Sequence, residues 1–192
     1  MRMLVLASRS PRRKEILERA GIEAVIRVSD VAEERQPSEA PLNYVCRLAA
    51  AKAHAVSLAD GEVVLGADTV VVLGDQILEK PRDRLHAADM LRLLSGREHR
   101  VITGICLRHS AGSVVGAEET IVRFAALSEI EIRDYVASGE PMDKAGAYAI
   151  QGLASKFVER IEGCYFNVVG LPISLIYKHL KRLNLTSAQI FA

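Results

Sequence analysis

The chain has 192 residues, 49% of them hydrophobic, which suits a single domain over residues 1–192 with a sizeable core and room for two lobes. Its 25 Lys and Arg nearly balance 24 Asp and Glu, so no global field draws nucleic acid or an anionic membrane. Trp is absent and aromatics are 5%, a poor supply of stacking platforms for single strands, so a small-molecule site in a cytoplasmic protein is the starting expectation.

Residues 3–7 read as a buried strand, too short and too soon followed by Ser and Arg to be a secretory signal core. No apolar run approaches the roughly 20 residues of a membrane span. After Ser8, Arg9 and Ser10, Pro11 opens a helix to about Ala20 that Gly21 stops. Proline suits the first helical position, where its missing N–H would have no partner, and Ser10 is a good N-cap. Free N–H groups and the positive end of the helix dipole then point beyond the strand, and Arg12 and Arg13 add guanidinium forks matched to phosphate oxygens. The segment reads either as a polyphosphate site on a strand-to-helix turn or as an ordinary helix start with solvated arginines.

Residues 25–28 are a candidate strand, and residues 30–41 form an acidic, proline-flanked loop holding Glu33 and Glu34. A helix from about Leu42 to Leu58 carries Lys52, and a lysine on an Ala-rich helix is ordinarily solvated. Residues 63–72 are strand-like but broken in the middle by polar residues, so Asp68 falls between two apolar stretches. A carboxylate there is costly unless it binds a cation, a donor or a catalytic water. The alternative is a turn aspartate bonded to nearby backbone N–H groups. Gly74-Asp75 turns the chain into residues 76–78, and Pro81 holds Lys80 extended, which could aim it at a cleft.

Residues 84–94 have helical spacing with Gly96 beyond their end, and residues 100–107 and 114–124 form a hairpin. Ser128-x-x-Glu131 is a capping-box pattern opening a helix that ends near Gly139. A loop over 140–146 leads to a short strand over 147–150, which places Gln151 at a strand end. Its amide offers both donor and acceptor to a pyrimidine edge. Residues 157–161 and 168–169 supply further strand, Pro172 leads into a helix over 174–183, and the last residues are expected to fray. Alternating helices and strands predict an α/β fold with a mixed sheet.

Cys46, Cys106 and Cys164 are widely spaced and odd in number, which predicts reduced thiols rather than a disulfide framework. The five histidines lack metal-ligand spacing, and no nucleophile-elbow, dinucleotide or P-loop motif occurs.

Taken together, Ser8-x-Ser10-Pro11-Arg12-Arg13, Gly66-Ala67-Asp68-Thr69, Glu79-Lys80-Pro81, Ser95-Gly96 with Thr103-Gly104, Asp143-Lys144-Ala145-Gly146-Ala147-Tyr148 with Ile150-Gln151-Gly152, and Asn167-Val168-Val169-Gly170-Leu171-Pro172 resemble the Maf family of nucleoside triphosphate pyrophosphatases. The motifs run in family order along nearly the whole chain. The resemblance implies a two-lobed α/β fold around a twisted mixed β-sheet flanked by helices, similar to the inosine triphosphatases, with the site in an inter-lobe cleft. It implies cleavage of a nucleoside triphosphate between the α- and β-phosphates. Carried over by position, Ser8, Arg12, Arg13, Glu33, Lys52, Asp68, Lys80 and Gln151 would form the site. The choice of Glu33 over Glu34 rests on the resemblance alone.

Arg12, Thr69 and Gln151 are similar to the branch acting on dTTP and UTP. The branch acting on 7-methyl-GTP would carry Gln in place of Thr69 and Glu in place of Gln151. Residue chemistry agrees: Arg12, Arg13, Lys52 and Lys80 can hold phosphates, and Glu33 and Asp68 can hold a divalent Mg or Mn ion. Asp68 can instead accept the proton of the attacking water, and the sequence leaves both roles open. CTP and modified pyrimidine nucleotides are further possible substrates, and the resemblance suggests a homodimer. The competing reading is a nucleotide-binding regulator of cell division without turnover, which would need the cationic residues but not the carboxylates.

Overall fold

The computed structural model describes residues 3–28 and 30–183. The chain begins with β1 (Met3–Leu6), α1 (Pro11–Arg19), β2 (Ala24–Ile26) and α2 (Pro41–His54). Next come β3 (Glu62–Leu73), β4 (Gln76–Leu78), α3 (Arg84–Leu94), β5 (Glu98–His109) and β6 (Gly112–Phe124). It continues through α4 (Glu129–Ala137), three 3-10 turns between Glu140 and Phe157, β7 (Val158–Glu162), α5 (Tyr165–Val169) and α6 (Ile173–Arg182). The strands form one mixed sheet of order β2-β1-β3-β5-β6-β7, with β4 paired to β3. β1 runs parallel to β2 and β3, so α1 and α2 are the crossovers that parallel neighbours require. β4 returns antiparallel along β3, and β7 antiparallel along β6. This is the twisted mixed sheet with flanking helices that the sequence implied.

Contacts divide the chain into two compact units. Of the described residues, the first holds those up to Asp68, Thr103–Glu118 and Gly170–Leu183; the second holds Thr69–Ile102 and Glu119–Val169. β3, β5 and β6 each contribute residues to both. In the first unit, Val5, Ala7, Ala49, Ala53, Val56, Val64 and Cys106 pack α2 against the sheet. Their small size lets helix and strands approach closely. The second unit is built around aromatic side chains: Phe124 meets Tyr148 and His99 edge-on at 4.8 and 5.1 Å, and Tyr135 meets Phe157 at 5.4 Å.

The capping box at Ser128 and Glu131 forms as expected. Several elements differ from the sequence reading. Residues 63–72 are not two stretches around a turn but part of one 12-residue strand, because Asp68 finds a side-chain partner and the ladder need not break. Helix α2 ends at His54, four residues short of Leu58. Residues 147–150 are not a strand: they start on the last residue of a 3-10 turn, Ala147, which adopts φ 58°. Gln151 therefore stands in a turn, not at a strand end. Residues 168–169 lie in the short helix α5 rather than a strand. Ser10 is the N-cap residue of α1 but its side chain makes no cap bond; its N–H instead donates to Ser8 Oγ at 3.1 Å. The fraying expected at the C-terminus falls outside the described residues. The three cysteines are free thiols, and among the described residues no helix is long and apolar enough to cross a membrane.

Candidate active site

β1 delivers Ser8 to the start of α1, where it is buried. Its Oγ accepts the Ser10 N–H and a bond from Arg13 Nη1 at 3.3 Å. Arg13 ties the local structure together: Nη1 also donates to the Ala67 carbonyl at 2.8 Å, and Nε donates to the Gly170 carbonyl at 2.9 Å. The guanidinium thus locks the strand-to-helix turn to β3 beside Asp68 and to the start of the last segment. Burial lowers the Arg13 pKa, while the Asp68 and Glu33 carboxylates raise it and Arg12 lowers it further. Both arginines and both carboxylates therefore belong to one electrostatic cluster.

At its centre is Lys52. The residue is buried on the face of α2 turned to β3, with its ammonium donating to Asp68 Oδ1 at 2.6 Å and to Glu33 Oε1 at 2.5 Å. An ammonium can serve both because it carries three donors. Asp68 is itself buried, in mid-strand. Desolvation raises its pKa above the ordinary aspartate value, with Lys52 and Arg13 opposing and Glu33 adding to the rise. Such a carboxylate is a stronger base than an exposed one.

Glu33 comes from a loop without regular structure, yet that loop is held down by α2. Tyr44 Oη donates to the Glu33 carbonyl at 3.0 Å, and Arg47 Nη2 donates to the Glu34 carbonyl at 2.9 Å. Arg47 also grips the Glu39 carboxylate with two bonds of 2.7 Å, and this pairing holds the Glu39 pKa down at about 2. Tyr44, Leu48 and Lys52 fall at i, i+4 and i+8, one face of the helix. That face positions the loop with its first residue and meets both carboxylates with its last.

Residues 3–183 match the family described as Maf-like protein. The chain belongs to the Maf family. It is 52% identical over 187 residues to the dTTP/UTP pyrophosphatase of Geobacillus sp. (strain WCH70), covering 96% of this chain and 100% of the relative. It is 51% identical to the protein of that name from Symbiobacterium thermophilum, covering 90% of each. The dTTP/UTP pyrophosphatase of Shigella dysenteriae serotype 1 shares 48% identity, covering 96% of this chain and 94% of its own.

Of the residues that the Maf resemblance marks, the structure gathers Ser8, Arg13, Glu33, Lys52 and Asp68 in the first unit, with Arg12 in their field. Lys52 is not solvated, as a lysine on an Ala-rich helix ordinarily is: two carboxylates hold it inside. The turn reading of Asp68 fails for the same reason. Glu33, rather than Glu34, presents its carboxylate to Lys52. Thr69, half-buried on β3, Lys80, after β4, and Gln151 lie in the second unit. There the Gly146 N–H donates to the Glu79 carbonyl at 3.1 Å, which joins the segment of Lys80 to the one that leads to Gln151. Sequence reasoning missed Tyr44, Arg47 and Glu39. The spacing of Tyr44 and Lys52 on one helix face was the available signal, and nothing in the sequence gave Arg47 its partner.

Among the described residues no three His, Cys, Asp or Glu side chains gather as a metal cluster. Glu33 and Asp68 still fit a hard divalent cation, which is often held by one or two carboxylates with substrate phosphates completing the shell.

Proposed function

We propose that this chain hydrolyses dTTP and UTP to the nucleoside monophosphate and pyrophosphate in the cytoplasm, clearing unwanted nucleotides. The carrying observation is Asp68: a desolvated carboxylate kept in mid-strand by the Lys52 ammonium, with Glu33 on the same ammonium. A binding protein gains nothing from two carboxylates where polyphosphate must enter, since like charges repel. A hydrolase needs them, so this arrangement supports turnover over the regulatory reading. The names of the relatives, at about half identity over nearly full length, support the choice of substrate.

In this reading a water attacks the α-phosphorus, the bond from that phosphorus to the α,β-bridging oxygen breaks, and pyrophosphate leaves. Asp68 orients the water and takes its proton; with Lys52 on Oδ1, the receiving atom is Oδ2. Arg12 and Lys52 offset phosphate charge, and Arg13, through its protein bonds, keeps the turn in place. Glu33 and Asp68 would hold an Mg or Mn ion, which when bound neutralises phosphate charge. A metal-bound carboxylate is a poorer base, so in that state the metal ligation would fall more to Glu33. Thr69 and Gln151 are assigned to the base, Gln151 through its paired donor and acceptor, and Lys80 to the phosphates.

Phosphorus NMR of a dTTP digest with Mg²⁺ or Mn²⁺ tests the bond that breaks. Thymidine monophosphate and pyrophosphate are expected as first products. Orthophosphate and dTDP would remove the assignment, and tight dTTP binding without any products would favour the regulator.

A further inference from the structure

Gln151 is exposed in a turn, yet the residues on its two sides are tied to a bonded pair of side chains, one to each. Tyr135, buried on α4, donates its hydroxyl to Glu140 Oε1 at 2.9 Å, and that hydroxyl accepts the Ala149 N–H at 3.2 Å. The other carboxylate oxygen, Glu140 Oε2, accepts the Leu153 N–H at 3.1 Å. Between these anchors the turn closes through a bond of 3.0 Å from the Gly152 N–H to the Ala149 carbonyl. Gly152 lies so close to the carboxylate that a Cβ there would sit 2.5 Å from Glu140 Cδ. A glycine is thus required beside Gln151 for the carboxylate to reach past it.

The pair is itself anchored. Tyr135 packs edge-on against Phe157, the Glu140 N–H donates to Ser138 Oγ at 3.2 Å, and the Glu140 carbonyl accepts from Lys144 Nζ at 3.2 Å. Burial and the neighbouring Glu140 carboxylate raise the Tyr135 pKa, so its hydroxyl stays a donor at every working pH. These bonds hold the backbone on both sides of Gln151 and so fix the point from which its amide reaches a base edge, and a hydrogen-bonding group discriminates between edges only when its mount is held.

We propose that Tyr135 and Glu140 are the positioning pair that fixes Gln151, and through it the preference for a pyrimidine edge. This rests on the base-reading role given to Gln151 above. Neither residue takes part in the chemistry, so the effect belongs in selectivity rather than in the bond-breaking step.

The test measures kcat and KM for UTP and dGTP, with thermal unfolding as a check on folding, in Tyr135→Phe, Glu140→Ala, Glu140→Gln, Gly152→Ala and Gln151→Ala. Tyr135→Phe and Glu140→Ala are expected to lower the UTP-to-dGTP ratio of kcat/KM about tenfold, the scale of one hydrogen bond, mainly by raising KM for UTP. Gly152→Ala should do the same by displacing the carboxylate. Glu140→Gln keeps one acceptor for Leu153 and should retain more of the ratio than Glu140→Ala. Adding Tyr135→Phe to Gln151→Ala should lower the ratio no further. The positioning proposal is overturned if Gln151→Ala collapses the ratio while folded Tyr135→Phe and Glu140→Ala keep it, or if UTP and dGTP lose activity equally. If Gln151→Ala itself leaves the ratio intact, the base-reading role fails and takes the proposal with it.

Discussion

Lys52 and Asp68 depend on each other more than either sequence position suggests. Each is buried, and the bond between them lets both charges sit inside the protein. Removing the carboxylate leaves Lys52 its second partner, Glu33; removing the ammonium leaves Asp68 buried in mid-strand. Asp68→Asn should therefore lower kcat by about 10²- to 10⁴-fold, the usual cost of losing a general base, while the urea midpoint stays close to that of the parent. Lys52→Met should lower stability by roughly 3–5 kcal/mol, and adding Asp68→Asn to it should recover part of that loss. An Asp68→Asn protein that is folded and near-normal in turnover would demote the residue to a structural role. Asp68 was legible as a polar residue set in an apolar run. Lys52 was legible only through the family resemblance, because its partners lie 16 and 19 residues away in the chain and only the packing of α2 on β3 brings them together.

That packing explains two of the glycines in the sequence motifs. A Cβ on Gly66 of β3 would lie 2.7 Å from the backbone nitrogen of Ala53 on α2. A Cβ on Gly104 of β5 would lie 2.5 Å from the carbonyl carbon of Val45 and 2.7 Å from the nitrogen of Cys46. In both cases the obstacle is helix backbone, which cannot rotate aside as a side chain can. The two glycines let α2 rest directly on the sheet, and α2 carries Lys52 while β3 carries Asp68. Gly66→Ala and Gly104→Ala should each cost about 1–3 kcal/mol or more by overpacking, read as a lower urea midpoint, and should lower turnover in the protein that remains folded. Unchanged stability in either would mean that α2 shifts at little cost. The sequence displayed these glycines but not their reason, which belongs to the helix above them. Regular elements with strong periodicity or caps, such as α3 and α4, were readable. Residues 147–152 were not, because backbone hydrogen bonds donated to Tyr135 and Glu140 by Ala149 and Leu153 hold them in turns that mimic a short apolar strand in composition.

Across the whole molecule, charge is nearly balanced at +1, so the dependence of stability on pH falls to individual buried groups rather than to general repulsion. His99 on β5 is the clearest of them. It is 2% exposed, its Nε2 pairs with Tyr148 Oη at 2.8 Å, and its Nδ1 has no hydrogen-bond partner among the described residues. Aromatic edges of Phe124 and Tyr148 surround it. Burial pushes its pKa down from 6.5 to about 4, since the imidazolium would have to form without solvent. The unfolded chain takes up that proton near the ordinary value, so it binds more protons than the native state over the interval between. The contribution of a neutral His99 is thus full above pH 6.5 and is lost as pH falls from 6.5 to about 4. At 1.36 kcal/mol per pKa unit this amounts to about 3 kcal/mol. Glu39, held near 2 by Arg47, acts only at lower pH. His99→Gln keeps a group able to bond Tyr148 but removes the titration. Urea unfolding at pH 7, 6, 5 and 4 should show the parent losing about 3 kcal/mol more than the variant over that range. Equal slopes in the two proteins would place the acid sensitivity elsewhere in the chain.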